Sequence, residues 1–384
     1  MPRGPDIDAA ADSSIAARAH IPALDGLRGI AILLVIPHNA DIFSDSASWL
    51  WPIALIAHAG WIGVQLFFVL SGFLITRNLL DTRRDANYLR SFYVRRALRI
   101  FPLYFLTLFV GLIVLPHVVQ FSPEALASHR HQMWLWTFLS NWAQPFGAAV
   151  VGFSHFWSLA VEEQFYLVWP FVVLFAAGTR LFWVSVVVAV AAFVSRVVLM
   201  QAGAVPDMLY MFTNCRMDAL ALGAAGAALS LTPAFMQWLA GNIRALYLSI
   251  FGVLVAAALF SHSYSVYDSR TLIVGQTLLA GAFAVLIVSV GSIPARSFGH
   301  FLRRMFETGW LQTVGRYSFA MYVFHMPILV AYGDSLHSAL SFAGSATPLL
   351  YALSAIVLSF LAGLVSYHLL EKHFLRLKAA LAPR

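Results

Sequence analysis

Residues 156–177 read FWSLAVEEQFYLVWPFVVLFAA. A helix of that length, rising about 1.5 Å per residue, crosses a hydrocarbon core of about 30 Å. Two adjacent carboxylates, Glu162 and Glu163, nevertheless sit about one turn inside its outer end. Ionisable groups within a span are costly, so they mark function by default. Similar apolar runs fall near 29–44, 61–76, 101–119, 181–199, 212–231, 245–260, 272–290, 317–332 and 348–369. The stretch 131–142 reads as a half-helix or re-entrant segment. The expected fold is therefore all-α, a polytopic membrane helix bundle of about ten transmembrane helices.

Composition supports that reading. Of 384 residues, 60% are hydrophobic and 11% are charged, against about 25% charged in a soluble domain. The net charge of +7 is explained by retention of Lys and Arg on the cytoplasmic side of membrane proteins. With the N-terminus inside and ten crossings, 20 of the 24 basic residues fall inside, leaving Arg130, Arg196, Arg216 and Arg270. Both termini are thus expected to be cytoplasmic. No basic domain with interleaved aromatics is present, so nucleic acid is not an expected partner. The single cysteine, Cys215, excludes an internal disulfide and a multi-cysteine metal centre. No metal is expected. Residues 1–20 read as a polar tail rather than a cleavable signal, 21–378 as the membrane domain and 379–384 as a C-terminal tail.

Ionisable groups inside the runs single out the candidate site. His38 lies ten residues beyond Arg28, about 15 Å along a helix, beside the helix-kinking Pro37. Ser71 and Gly72, with Gly63, permit close helix approach in the second run. Seven arginines lie between 77 and 99, and Arg95, Arg96 and Arg99 are nearest the membrane. Guanidinium forks suit phosphates, and the same segment suits anionic lipid. Arg216 and Asp218 cannot face each other on one helix, so each needs a partner elsewhere. His325 is another embedded polar group. No nucleophile elbow, P-loop or zincin motif is present.

Several of these motifs together resemble the acyltransferase-3 family of membrane acyltransferases. They are Leu24-Asp25-Gly26-Leu27-Arg28-Gly29 followed by His38, the Phe-Phe-Val-Leu-Ser-Gly-Phe run at 67–73, and Arg99-Ile100-Phe101-Pro102. Trp157-Ser158-Leu159 with Glu162 and Glu163, Arg216-Met217-Asp218, and Tyr317-Ser318-Phe319 through His325-Met326-Pro327 complete the set. The resemblance covers roughly residues 20–378. It implies O-acyl transfer, acetyl being the commonest group, from cytoplasmic acyl-CoA (acetyl-CoA foremost) to a sugar hydroxyl. The acceptor would be a cell-surface or lipid-linked glycan, and the setting the bacterial inner membrane. His38 and Glu162 would be catalytic, with Arg28, Arg95, Arg96 and Arg99 on the donor. Asp25, Ser71, Trp157, Ser158, Glu163, Arg216, Asp218 and His325 would support the site or line the pore.

Some relatives carry a C-terminal hydrolase-like domain, and none is expected here because the last run lies close to the end. In the family ten residues separate the first-helix Arg and His, whereas nine intervene here. One residue turns a helix by about 100°. Either Pro37 restores the facing, or Asn39 takes the usual histidine position. Glu371-Lys372-His373 also departs from the family, which tends to place Pro after Glu-Lys. The rival reading is a transporter or flippase that moves a lipid-linked sugar or a solute without chemistry.

Overall fold

The computed structural model describes residues 21–40, 48–261, 267–292 and 303–381, so the N-terminal tail and the last residues of the C-terminal tail lie outside them. The described residues form helices and connecting turns, with no strand. Ten long helices carry the architecture: α1 (Pro22–Ala40), α2 (Ile62–Thr82), α3 (Tyr88–Phe109), α4 (Trp157–Phe175), α5 (Thr179–Gln201), α6 (Thr213–Ser230), α7 (Pro233–Ser261), α8 (Gln276–Ser292), α9 (Gly309–Leu340) and α10 (Thr347–Ser366). An all-helical backbone is what a bilayer demands, since each N–H and C=O must find its partner within the segment.

By length and composition, six helical stretches of the described residues are apolar and long enough to cross a membrane, and the bent pair Pro206–Ser230 and Pro233–Gly252 makes a seventh. The second run is longer than its sequence suggests, because the short helix Trp51–His58 continues into α2 to give Trp51–Thr82. The third begins at Tyr88, so the arginines of 90–99 belong to α3 rather than to a loop before it. The stretch Gly309–Lys378 holds α9 and α10 together. Between them Gly344 has φ 55° and ψ −122°, a left-handed backbone that glycine adopts without steric cost, and α10 packs back against α9.

The stretch near 131–142, expected as a half-helix or re-entrant segment, lies in a series of short helices, Pro123–Ser128, Met133–Trp136 and Ser140–Ala143. Side chains tie this segment to the bundle. Tyr104 donates to the Leu135 carbonyl at 2.8 Å, and Asn141 donates to the Met211 carbonyl at 3.1 Å.

Packing follows the small residues. α1 lies against α9, α10 and α2, while α6 lies against α5, α2 and α8. A Cβ at Gly72 would collide with the Leu220 carbonyl, and one at Gly223 with the Val69 carbonyl. Glycine at both positions therefore lets α2 and α6 cross backbone to backbone, the small-residue contact used where lipid supplies no hydrophobic drive. The outward faces stay apolar, with Leu167, Val187 and Phe175 exposed.

Candidate active site

The close approach of α1, α2, α3, α4 and α9 leaves a cavity of about 100 Å³ between them. Its polar lining comes from Arg28 on α1, Ser71 on α2, Arg96 and Arg99 on α3, Glu162 and Ser158 on α4, and Ser318 and Tyr322 on α9. Val64, Phe67, Phe68 and Leu70 of α2 form part of the apolar wall. Arg99 is exposed, placing the opening at the arginine end.

The arginines are held differently. Arg28 pairs with Asp25 at 3.0 Å, one turn away on α1. Arg96 lies 4.0 Å above the Tyr166 ring centroid, and its Nε is buried without a hydrogen-bond partner. Arg99 has no carboxylate partner within 4 Å among the described residues. Arg96 and Arg99, three apart, both line the cavity from α3, and Arg95 is not among its lining residues. Together the three lining arginines make a mouth suited to an anion.

Inside, the Tyr166 hydroxyl donates to Glu162 Oε2 at 2.9 Å and is itself hydrogen-bonded to Ser71 Oγ. Tyr166 is buried and sits one turn beyond Glu162 on α4. Glu163 does not line the cavity, and its Oε1 is buried without a partner. On the opposite wall Ser158 Oγ and Tyr322 Oη lie 2.6 Å apart and share one hydrogen bond, and both are within hydrogen-bond reach of the His155 carbonyl. Trp157 packs edge-on to Phe68 behind that wall.

Behind Tyr322 lies a pair of imidazoles. His155 and His325 have ring centroids 4.6 Å apart, and both are buried. His325 Nδ1 lies 2.6 Å from the Tyr322 carbonyl, which can only accept, so Nδ1 carries the proton. Its Nε2 then accepts from the Asn39 amide at 2.8 Å. Both nitrogens of His155 are buried without a hydrogen-bond partner.

Asn39, not His38, thus reaches the α9 histidine. His38 is not among the cavity-lining residues. It backs onto Gly60, with Nδ1 3.2 Å from the Ala57 carbonyl. That carbonyl again fixes the proton on Nδ1, which leaves the basic lone pair on Nε2.

Deeper still, the embedded charges find partners on other helices. Arg196 on α5 donates to Asp218 Oδ2 on α6 at 2.8 Å. Thr277 on α8 donates to the same oxygen at 2.6 Å. Arg216 on α6 donates to Gln65 on α2 at 2.6 Å and to Gln276 on α8, within an aromatic surround of Phe68, Trp157 and Tyr210. Neither Arg216 nor Asp218 lines the cavity. Among the described residues no three His, Cys, Asp or Glu side chains converge as a metal site requires.

Comparison with known proteins completes the description. Residues 21–368 match a family model described as an acyltransferase domain. The Bacillus subtilis (strain 168) protein YrhL is 31% identical over 381 residues, which cover 92% of this chain and 54% of the relative. The peptidoglycan O-acetyltransferase OatA of Listeria monocytogenes is 29% identical over 340 residues, covering 81% of this chain and 50% of that one. The O-acetyltransferase OatA of Staphylococcus aureus (strain NCTC 8325) is 28% identical over 326 residues, covering 81% and 51%. The chain spans about half the length of these curated relatives. No solved structure matches it.

Proposed function

Because the chain belongs to the acyltransferase-3 family of integral membrane acyltransferases, we propose that it moves an acyl group, acetyl foremost, from cytoplasmic acyl-CoA to a sugar hydroxyl across the membrane. The acceptor is a cell-surface or lipid-linked glycan. Peptidoglycan is the first candidate, since the Listeria relative is a peptidoglycan O-acetyltransferase. The setting is the bacterial inner membrane, with ten crossings and both ends of the chain in the cytoplasm.

One observation carries this reading: a cavity with arginines at its open end and a carboxylate inside. The acyl thioester end of the donor enters this cavity, and the nucleotide with its phosphates stays at the mouth on Arg28, Arg96 and Arg99. Arg95, on the neighbouring face of α3, contributes at the rim or to anionic lipid. Glu162 handles the proton on the donor side. We assign His38, ten residues beyond Arg28 on α1, to the acceptor. Its fixed Nδ1–H tautomer suits Nε2 to take the acceptor's proton, as a general base does.

The reading is tested by incubating purified protein with acetyl-CoA and a glycan acceptor, then measuring both free thiol and acetylated glycan. A transporter or flippase would give neither. Two substitutions separate the roles. Arg99→Ala removes a mouth arginine that has no carboxylate within 4 Å among the described residues. Since a charged hydrogen bond contributes about 1.5–3 kcal/mol, KM for acetyl-CoA should rise roughly 10-fold or more, at 1.4 kcal/mol per factor of ten, with kcat changed less. His38→Ala should lower glycan acetylation by about 10²-fold or more and leave acetyl-CoA affinity intact. Full glycan acetylation in His38→Ala membranes at normal protein level would remove the histidine from the chemistry.

A further inference from the structure

The hydroxyls lining the cavity are not equivalent. Ser158 and Tyr322 bond to each other and to the carbonyl of His155. A backbone carbonyl accepts a hydrogen bond but does not take a proton away. Ser71 is connected otherwise. The Tyr166 hydroxyl has one proton and gives it to Glu162 Oε2 at 2.9 Å, so in the Ser71–Tyr166 contact Ser71 must be the donor. The chain runs Ser71 Oγ–H to Tyr166 Oη–H to Glu162 carboxylate, and every link is oriented the same way. Among the cavity's hydroxyls, Ser71 alone joins a chain ending on a carboxylate. With its proton turned toward Tyr166, the Ser71 oxygen keeps its lone pairs for the cavity it lines. The Arg96 guanidinium, 4.0 Å from the Tyr166 ring centroid, favours negative charge passing along this relay.

We propose that Ser71 is a covalent acyl carrier, which takes the acyl group from the donor before it passes to the acceptor. Resting on the acyltransferase reading above, the step balances as follows. Ser71 Oγ attacks the thioester carbonyl, and its proton passes to Tyr166 as the Tyr166 proton passes to Glu162. The C–S bond breaks, the thiolate leaves and collects the proton from Glu162, and the acyl group stays on Ser71 as an ester. The acceptor hydroxyl then attacks that ester, the bond between the acyl carbon and Ser71 Oγ breaks, and the proton lost by the acceptor ends on Ser71 Oγ, which restores the serine. No oxidant or further reactant is needed. Dividing one transfer into two easier ones is the logic of nucleophilic catalysis. It also lets the thiol depart before the acceptor arrives.

The test uses the full chain, purified in lipid nanodiscs. Acetyl-CoA is added without acceptor, the reaction is quenched in acid, and the digest is analysed by mass spectrometry. An acetyl ester on the peptide containing Ser71 is expected, appearing with a burst of free thiol and disappearing when glycan is added. Ser71→Ala should lose the adduct, the burst and glycan acetylation. Ser71→Cys, which retains a nucleophile, should carry acetyl as a hydroxylamine-sensitive thioester, a signature that a structural role for Ser71 would not produce. Wild-type protein that acetylates glycan without a Ser71 adduct, or with the adduct on Tyr166 or His38 instead, overturns the carrier and leaves acyl transfer standing. Wild-type protein that neither releases thiol nor modifies glycan overturns both.

Discussion

Glu162→Gln is expected to lower the rate of acyl transfer by about 10²–10⁴-fold, the usual contribution of a positioned acid or base, while protein level and acetyl-CoA affinity stay near wild type. The substitution suits the question because of what it preserves. Glu162 accepts a hydrogen bond from Tyr166, and the Gln carbonyl oxygen can accept the same bond in the same volume. Packing on α4 and the position of Tyr166 are therefore kept. What is lost is the ability to take up a proton, together with a negative charge that shares the cavity with Arg28, Arg96 and Arg99. A fall in kcat with little change in KM is the signature of an interaction realised in the transition state.

Glu163 supplies the control. It is adjacent in sequence but does not line the cavity. Glu163→Gln should therefore leave kcat within about an order of magnitude of wild type, since it removes no positioned acid or base. A Glu162→Gln enzyme that keeps wild-type kcat would take the proton away from this carboxylate. Equal losses from both substitutions would point to a general effect of charge on α4.

Much of this arrangement is legible in the sequence, and the reasons it stops are physical. The embedded carboxylates of residues 162 and 163 are conspicuous because apolar residues surround them. The need of Arg216 and Asp218 for separate partners follows from helical spacing, and the structure supplies Gln65 with Gln276 for one and Arg196 for the other. The partners themselves lie 22 to 151 residues away in the chain, and only helix packing selects them. Gln65 draws no attention in a run read for its glycines. Tyr166 carries a usable signal, lying four residues after Glu162 and thus on the same face, but aromatic residues crowd these helices and dilute it. The pairing of His155 with His325 has no local signal. The direction of the first-helix histidine turns on a single residue of spacing. Asn39 reaches His325 and His38 turns to the Ala57 carbonyl, which is the alternative that a regular α1 produces despite Pro37.

Asp218→Ala is expected to produce the largest loss of stability. Asp218 and Arg196 are both wholly inaccessible, and Asp218 also accepts from Thr277 and from the Ala219 amide. Removing the carboxylate leaves a guanidinium buried without its counter-charge, which typically costs about 3–5 kcal/mol. The effect should be seen as a lower unfolding temperature in detergent and faster proteolysis, with activity falling in proportion to folded protein. The loss belongs to the unpaired charge rather than to the pair as a stabiliser, and a second variant separates the two. Arg196→Met with Asp218→Leu replaces both ions by apolar side chains of similar length, and such exchanges are often neutral or stabilising. The double variant should recover most of the lost stability, less the cost of stranding the Thr277 hydroxyl.

Recovery of stability need not return full activity. Arg196, Asp218 and Thr277 bind α5, α6 and α8 to one another, and two residues away on α6 and one on α8 the Arg216–Gln65–Gln276 cluster binds α6 and α8 to α2. α2 in turn carries Ser71. If the ion pair also sets the position of α2, the double variant folds well but transfers acyl groups more slowly. If it serves stability alone, folding and activity return together. Asp218→Ala protein that unfolds at the wild-type temperature would show that the buried arginine is satisfied by the Cys215 carbonyl and Thr277 without its carboxylate.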